Sequence, residues 1–395
     1  MKATLTFIFL IVFTSLMNAQ QPTFSNLDYV GSGNSKQSLD LYIPSWLTKP
    51  APLIIYIHGG GWKGGSKGNA MGFCDTLFAH GYIVADINYR LSGDSIFPAQ
   101  IYDCKAAVRW LKVHAAQYNI DTNKIAVTGS SAGGHLASLL GTSGGVDSLE
   151  DFGLSSITAT SKVHAVIPFY GPSDFLQMDL HIPFTPPDSC TNPLIHDTPS
   201  SPEAKLLGCQ ISLCPERVRK ANPVTYIDAA DPPFKIYHGT FDCSVPPHQS
   251  ILLDSALKAA EVFSSLSLLE HVGHGFRPNS EQKQEMLEFL NTHLTGRPTS
   301  VSSKNNIPLA FELEQNYPNP FNPTTVIGYQ LPVTGNVTLK IYDLLGREIT
   351  TLVNETKEAG SYEVKFDAKQ LSSGVYFYQL KTSSSVITKK LMVVR

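Results

Sequence analysis

The sequence predicts an α/β fold: a mostly parallel sheet flanked by helices, followed by a small C-terminal antiparallel β-sandwich. Three observations predict it. Short apolar runs alternate with helix-patterned stretches from Leu41 to His293, the order that builds a parallel sheet. Those runs are apolar throughout, as strands covered on both faces are. Beyond Gly296 the pattern changes to period-two alternation between turns, the sign of antiparallel strands with one wet face.

Taken in order, the strands are read at Leu53–Ile57, Tyr82–Ile87, Ile125–Thr128, Val163–Phe169, Phe234–Tyr237 and Leu266–Leu269. Between the second and third, Ile101, Cys104, Ala107, Val108 and Leu111 keep helical spacing over residues 99–114. A closing helix is expected over 280–294, with Ser280 as cap and Met286, Leu287 and Leu290 on its apolar side. The segment from Gly171 to Asp231 breaks the rhythm. It is rich in proline, holds Cys190, Cys209 and Cys214, and reads as an insertion over the sheet edge; loops of that length in compact domains are usually functional covers. Residues 296–308 read as a polar, serine-containing linker. The second domain is placed at 309–395, on the alternating runs 337–342, 362–366 and 375–380 and on turns at Leu345-Gly346 and Ala359-Gly360.

The 395 residues carry 30 Lys plus Arg against 33 Asp plus Glu, a net charge of −3. Nothing in that balance steers nucleic acid, and no basic block argues for it. At the N-terminus, Lys2 precedes an apolar run over residues 3–17, with the small residue Ala19 ahead of Gln20 and Gln21. The run is shorter than the roughly 20 residues a spanning helix needs. It is read as a signal peptide over residues 1–19, the alternative being an uncleaved anchor, and leaves a catalytic domain at 20–295. No later window offers a transmembrane helix. The exported chain then sits where disulfides form. Cys209 and Cys214 lie five residues apart, Cys190 and Cys243 are further candidates, and six cysteines leave the pairing open. No C-x-x-C pair suggests zinc, and Cys74 and Cys104 fall in helical patterns.

Three elements carry chemistry. Gly129-Ser130-Ser131-Ala132-Gly133 follows one strand and precedes a helix expected to begin near Gly134, the context in which a G-x-S-x-G turn lifts a nucleophilic serine out of a sheet. His58-Gly59-Gly60-Gly61-Trp62 directly follows another strand. Glycines there let backbone N–H groups face a substrate oxygen, and Gly60, Gly61 and Ala132 are the expected oxyanion donors. Asp242 and His274 each follow a later strand, so the order is Ser131, Asp242, His274, with His274 as base and Asp242 orienting it. His271 is a rival base. Asp228 and Asp231 are rival acids, but they precede their strand and so fall at its wrong end. His58 is expected to shape the glycine loop. Tyr89-Arg90 is expected to anchor a loop, with Asp103 as structural partner. Trp62 lines the substrate pocket or packs beneath the insertion, and Ser130 is a second pocket candidate.

Together these motifs make residues 53–294 resemble the α/β-hydrolase esterases related to hormone-sensitive lipase, and most closely the compact bacterial branch of feruloyl and acetylxylan esterases. Asn88-Tyr89-Arg90, Phe97-Pro98-Ala99-Gln100, Asp103 and the run 201–208 add to the likeness. Two departures stand out: Ser130 replaces the acidic residue many lipase-branch members have before the nucleophile, and residues 20–52 leave no room for that branch's long N-terminal cap. The resemblance implies a secreted serine carboxylesterase needing no metal or organic cofactor. It also implies acetyl or feruloyl esters of plant polysaccharide as substrates. An amidase or arylformamidase of the same fold, or a catalytically dead surface-binding protein, are the alternatives. The last domain is similar to type IX secretion sorting domains of the Bacteroidetes kind. That likeness rests on residues 311–323, with Tyr342-Asp343-Leu344-Leu345-Gly346-Arg347, Leu371-Ser372-Ser373-Gly374-Val375-Tyr376 and Lys389-Lys390-Leu391. It implies the type IX machinery as partner and export from a Gram-negative cell to the medium or outer surface. A carbohydrate-binding sandwich is the competing reading.

Overall fold

The computed structural model describes residues 20–296 apart from 154–158, 183–189 and 191–192. It also describes residues 312–394 apart from 314, 317–318, 332–333, 359 and 383–384. The predicted signal segment and residues 297–308 of the predicted linker lie outside the described residues, as do residues 311, 314, 317 and 318 of the sorting motif. The chain forms two compact units, Met1–Pro298 and Thr299–Arg395.

In the first unit eight strands form one sheet in the order β1-β2-β4-β3-β5-β6-β7-β8. They span Phe24–Asp28, Ser38–Tyr42, Ala51–Ile57, Ile83–Ile87, Ile120–Ser130, Ala165–Phe169, Phe234–Gly239 and Ser264–Leu269. Strands β3 to β8 run parallel, while β2 opposes both β4 and β1. The uniform apolar runs have the predicted cause. Along β3, Leu53, Ile55 and Ile57 enter one core cluster and Ile54 and Tyr56 the other. Successive side chains on a strand point to opposite faces, and both faces are covered. Helices Ala99–Val113 and Ala132–Thr142 lie on the first face, Met71–Ala79 and Ser280–Leu290 on the second.

Three sequence readings change. Strands β1 and β2 were not expected. Neither is a run of large apolar residues, because β2 is buried with Ser38 and Asp40 among its residues. The closing helix is capped by Asn279, not Ser280. The Asn279 side chain accepts from the Gln282 N–H and the Gln282 side chain accepts from the Asn279 N–H, a reciprocal cap that satisfies two otherwise orphaned donors. The helix after the nucleophile turn starts at Ala132 rather than near Gly134.

The second unit holds two antiparallel sheets. One has the order β13-β10-β9 and the other β12-β11-β14-β15. These strands span Glu312–Leu313 (β9), Thr324–Leu331 (β10), Gly335–Tyr342 (β11), Glu348–Lys357 (β12), Gly360–Asp367 (β13), Gly374–Lys381 (β14) and Val386–Val393 (β15). Their inward residues, among them Ile327, Tyr329, Leu339, Ile341, Tyr378 and Leu391, form one buried cluster.

Candidate active site

Ser131 stands at the junction of β5 and the helix Ala132–Thr142, with φ 55° and ψ −121°. A non-glycine residue there is strained, and such strain collects at functional turns. The neighbours explain why the chain can turn so sharply. A Cβ on Gly129 would lie 2.6 Å from the Gly133 carbonyl carbon and 2.7 Å from the Ile57 oxygen, so only glycine fits. The Ser131 N–H donates to the Phe169 carbonyl of β6 at 2.9 Å and holds the turn to the sheet.

Two loops beyond the sheet's C-terminal edge complete the arrangement. His274, after β8, has Nε2 3.0 Å from Ser131 Oγ and Nδ1 2.6 Å from Asp242 Oδ2. With Nδ1–H donating to Asp242, Nε2 is left to accept from the serine hydroxyl. Asp242, after β7, is fully buried. Burial raises its pKa most, but the hydrogen bonds from His238 and His274 overturn that and hold the carboxyl well below the usual carboxylate range. Its Oδ1 also accepts from the N–H groups of Ser244 at 2.8 Å and Val245 at 2.9 Å.

His238 is a residue the sequence reading passed over. It is buried beside Asp242, its Nε2 3.2 Å from Oδ2, while its Nδ1 meets Ser250 Oγ at 2.7 Å. The only sequence signal was its place at the end of a strand, four residues before Asp242.

Opposite the elbow runs the glycine turn. A Cβ on Gly59 would lie 3.3 Å from Ser131 Cβ, so turn and elbow are in contact. Gly60 has φ 115°, Gly61 φ 58°, and the Gly60 carbonyl accepts from Gly64 N–H at 3.0 Å, closing the turn. Among the described residues, the N–H groups of Gly60, Gly61 and Ala132 have no acceptor. His58 shapes this turn: Nδ1 meets the Gly59 carbonyl at 2.7 Å and the ring stacks on Tyr89 at 4.3 Å. Burial lowers its pKa to about 4, so it stays neutral.

These groups face a cleft of about 440 Å³ that Tyr56, Ser130, Asn69, Phe73, Tyr170 and Arg277 also line. Ser130 Oγ lies 3.2 Å from the Tyr56 hydroxyl. The Tyr170 ring packs edge-on at 4.8 Å against His274, and its hydroxyl donates to the Phe276 carbonyl at 2.8 Å. Tyr170 was legible only as the residue after a predicted strand. Tyr56 looked like one more core residue of β3.

Trp62 is a correction. It does not line the cleft; it is buried, with its ring 5.2 Å from His135 and 5.5 Å from Phe175, beneath the inserted segment. With φ 54° the backbone at Trp62 is left-handed, and the side chain packs inward. His271 is exposed, rests on Phe241 and makes no contact with Ser131. Asp228 and Asp231 line a smaller cavity of about 140 Å³ with Lys162, at the opposite end of the strands. Arg90 grips buried Asp103 through Nε at 2.9 Å and Nη2 at 2.8 Å, anchoring its loop as expected. Two disulfides form, Cys190–Cys243 and Cys209–Cys214, and Cys74 and Cys104 are free and buried. Among the described residues no group of His, Cys, Asp and Glu could hold a metal ion, and no helix is long and apolar enough to cross a membrane.

A serine on a strained strand-to-helix turn, a histidine and a buried acid after later strands, and a glycine turn facing them are features of the α/β-hydrolase class. The chain belongs to the BD-FAE family, which it matches over residues 39–257, more than half its length. Residues 315–394 match the secretion system C-terminal sorting domain. A probable carboxylic ester hydrolase of Mycobacterium tuberculosis, LipM, is 34% identical over 232 residues, covering 57% of this chain and 50% of LipM. The chain thus spans about half the length of the curated relatives it matches. Among solved structures, a truncated carbohydrate esterase from gut microbiota superposes with a TM-score of 0.62 at 29% identity, covering 71% of this chain and 98% of the other. A bifunctional GH43-CE protein of Bacteroides eggerthii gives 0.61 at 32% identity, covering 68% of this chain and 38% of the other.

Proposed function

We propose that this protein is a secreted serine carboxylesterase acting on short-chain or plant-polysaccharide acyl esters, acetyl and feruloyl groups included. Ser131 Oγ attacks the ester carbonyl carbon while His274 Nε2 takes its proton, and Asp242 stabilises the resulting imidazolium. The N–H groups of Gly60, Gly61 and Ala132 hold the negative oxygen of the tetrahedral intermediate. Such a donor is worth about 3–4 kcal/mol each. Collapse breaks the bond to the alcohol, which leaves with the proton from His274. Water, deprotonated by the same His274, then hydrolyses the acyl-enzyme.

The observation that carries the reading is the unbroken relay from Ser131 through His274 to a buried carboxylate, at 3.0 and 2.6 Å. The esterase names of the relatives support the reaction, and the carbohydrate esterases among the solved structures support a carbohydrate substrate. The sorting domain supports export by the type IX machinery and release or attachment at the outer surface.

The test is a panel of 4-nitrophenyl acyl esters, methyl ferulate, acetylated xylan and N-formylkynurenine. Ester hydrolysis that S131A lowers by about 10⁴-fold or more is expected. Activity on N-formylkynurenine alone replaces the reading with an arylformamidase. No activity on any substrate leaves a binding protein.

A further inference from the structure

Among the described residues Arg277 has no counter-charge. It is exposed at the wall of the cleft, three residues after His274 in the same loop. Its one hydrogen bond among the described residues runs from Nη2 to Asn69 Oδ1 at 3.3 Å. Among the described residues no carboxylate lies within ion-pair distance of it, whereas Arg90, Arg109, Arg219 and Arg347 each grip an Asp or Glu. The guanidinium lies over Gly72, where a Cβ would come within 3.2 Å of Cζ. Gly72 sits in the first turn of the helix Met71–Ala79, and a helix N-terminus repels a cation. Arg277 is therefore not placed there to stabilise that helix.

No acidic side chain opposes Arg277 at the cleft: among the described residues no Asp or Glu lines that wall. Asp242 is buried behind His274 with both oxygens engaged. Asp86 is buried beneath the turn 68–70, accepting from the N–H groups of Gly68 and Ala70. Lys63 does not line the cleft, but its side chain passes Gly61, with Cε 3.9 Å from where a Gly61 Cβ would be. In a chain of net charge −3, the cleft thus has Arg277 and no carboxylate among its described lining residues, and an unopposed charge in a low-dielectric cleft focuses the field on an incoming ion.

Resting on the esterase reading above, we infer that Arg277 binds a carboxylate on the alcohol portion of the substrate, so that the preferred esters are O-acylated uronates of an acidic polysaccharide. The side is set by proton transfer. His274 must hand its proton to the leaving alcohol oxygen, so the alcohol portion lies toward the His274 loop, which Arg277 shares. A guanidinium offers a planar pair of donors that matches a carboxylate, and those donors are open here. The carboxylate takes no part in the reaction; the acyl–oxygen bond breaks as before.

The experiment measures acetate release by the full-length chain from O-acetylated polygalacturonate and from an acetylated xylan freed of its uronate side groups. The wild type prefers the acidic polymer. R277Q shrinks that preference roughly ten- to hundredfold, the worth of a charge-assisted hydrogen bond, mainly through KM. R277K recovers part of it, and added salt erodes the wild-type preference. Titration of Ser131 with a neutral phosphonate counts the folded sites in each variant. Equal rates on the two polymers, an R277Q loss that is equal on both, or cleavage of neither polymer by an enzyme active on 4-nitrophenyl acetate overturns the assignment. An Arg277-dependent preference for 4-nitrophenyl hemisuccinate instead puts the carboxylate on the acyl side and overturns it too. If the wild type cleaves nothing and the phosphonate fails to label Ser131, the esterase reading itself has failed.

Discussion

His135 makes one face of the fold sensitive to acid in a way that can be measured. It is fully buried on the helix that starts at Ala132, with Trp62 at 5.2 Å and Phe175 at 5.1 Å. Its Nε2–H donates to the Ala221 carbonyl at 2.8 Å, which leaves Nδ1 as the proton-free nitrogen, and Nδ1 has no partner. A second proton would go to that apolar side, so burial pulls the pKa down to about 4. The unfolded value is about 6.5, so the neutral form is favoured in the fold. Stability from this group is then complete above about pH 6.5 and is lost as the pH falls toward 4. Between pH 7.5 and pH 5 the loss comes to about 2 kcal/mol. Other groups titrate over the same range, Asp86 and Asp231 in the opposite sense, so the useful quantity is a difference between two proteins. H135Q lacks the titration: its stability deficit against wild type narrows by about 2 kcal/mol between pH 7.5 and pH 5. Guanidinium unfolding followed by tryptophan fluorescence reads this cleanly, because Trp46, Trp62 and Trp110 all lie in the first unit. A deficit that is the same at both pH values would falsify the account of His135.

Two further predictions concern the glycine turn and the disulfides. G60A places a Cβ 2.7 Å from the Gly64 carbonyl carbon at a φ of 115°, so the turn must move; kcat on 4-nitrophenyl acetate falls about 100-fold or more, the size of one lost oxyanion donor, and an unchanged kcat removes the turn from the reaction. Cys190–Cys243 closes a 53-residue separation and Cys209–Cys214 one of 5, which by loop entropy are worth about 4 and about 2 kcal/mol; C190S/C243S should therefore lower the guanidinium midpoint of the first unit more than C209S/C214S, and the reverse order refutes the loop argument.

What could be read from residues alone follows from how local the physics is. The parallel strands were legible because each is apolar on both faces, and the elbow because Gly129 and Gly133 are required within one turn. Of the three residues chosen from motif order, His274 stands within hydrogen-bonding distance of both Ser131 and Asp242. Strands β1 and β2 were missed because β1 is exposed to half-buried with a polar centre and β2 buries polar residues. The cap at Asn279 was missed by one residue because Asn and Ser are both good caps and only the Gln282 contact separates them. Trp62 was ambiguous for a different reason: a glycine turn shows that the backbone bends sharply, but not which way the next side chain points. Tyr170 and Arg277 matter through neighbours more than 100 residues away, and His238 through the fold of the loop that returns Asp242 to it; no periodicity announces either.

The inserted segment also takes on a second meaning. From the sequence it read as a cover, yet it touches two corners of the site from behind. Pro202 packs on Gly61, where a Cβ would lie 3.2 Å from the proline Cβ. The helix Pro202–Leu207 that follows is capped by Ser201 and backed by the buried pair Glu203 and His196, 3.2 Å apart. Cys190 is bonded to Cys243, the residue after Asp242, and the Leu194 N–H donates to the Cys243 carbonyl at 3.0 Å. One part of the insertion therefore braces the proposed oxyanion turn and another part the loop of the proposed catalytic acid. Preorganisation of that kind is what oxyanion catalysis needs, since donors that must first move into place stabilise the transition state less. The brace on the Asp242 loop includes the Cys190–Cys243 disulfide, and disulfides persist only where the surroundings oxidise thiols. A chain ending in a secretion sorting domain can rely on cross-links there that a cytoplasmic esterase could not.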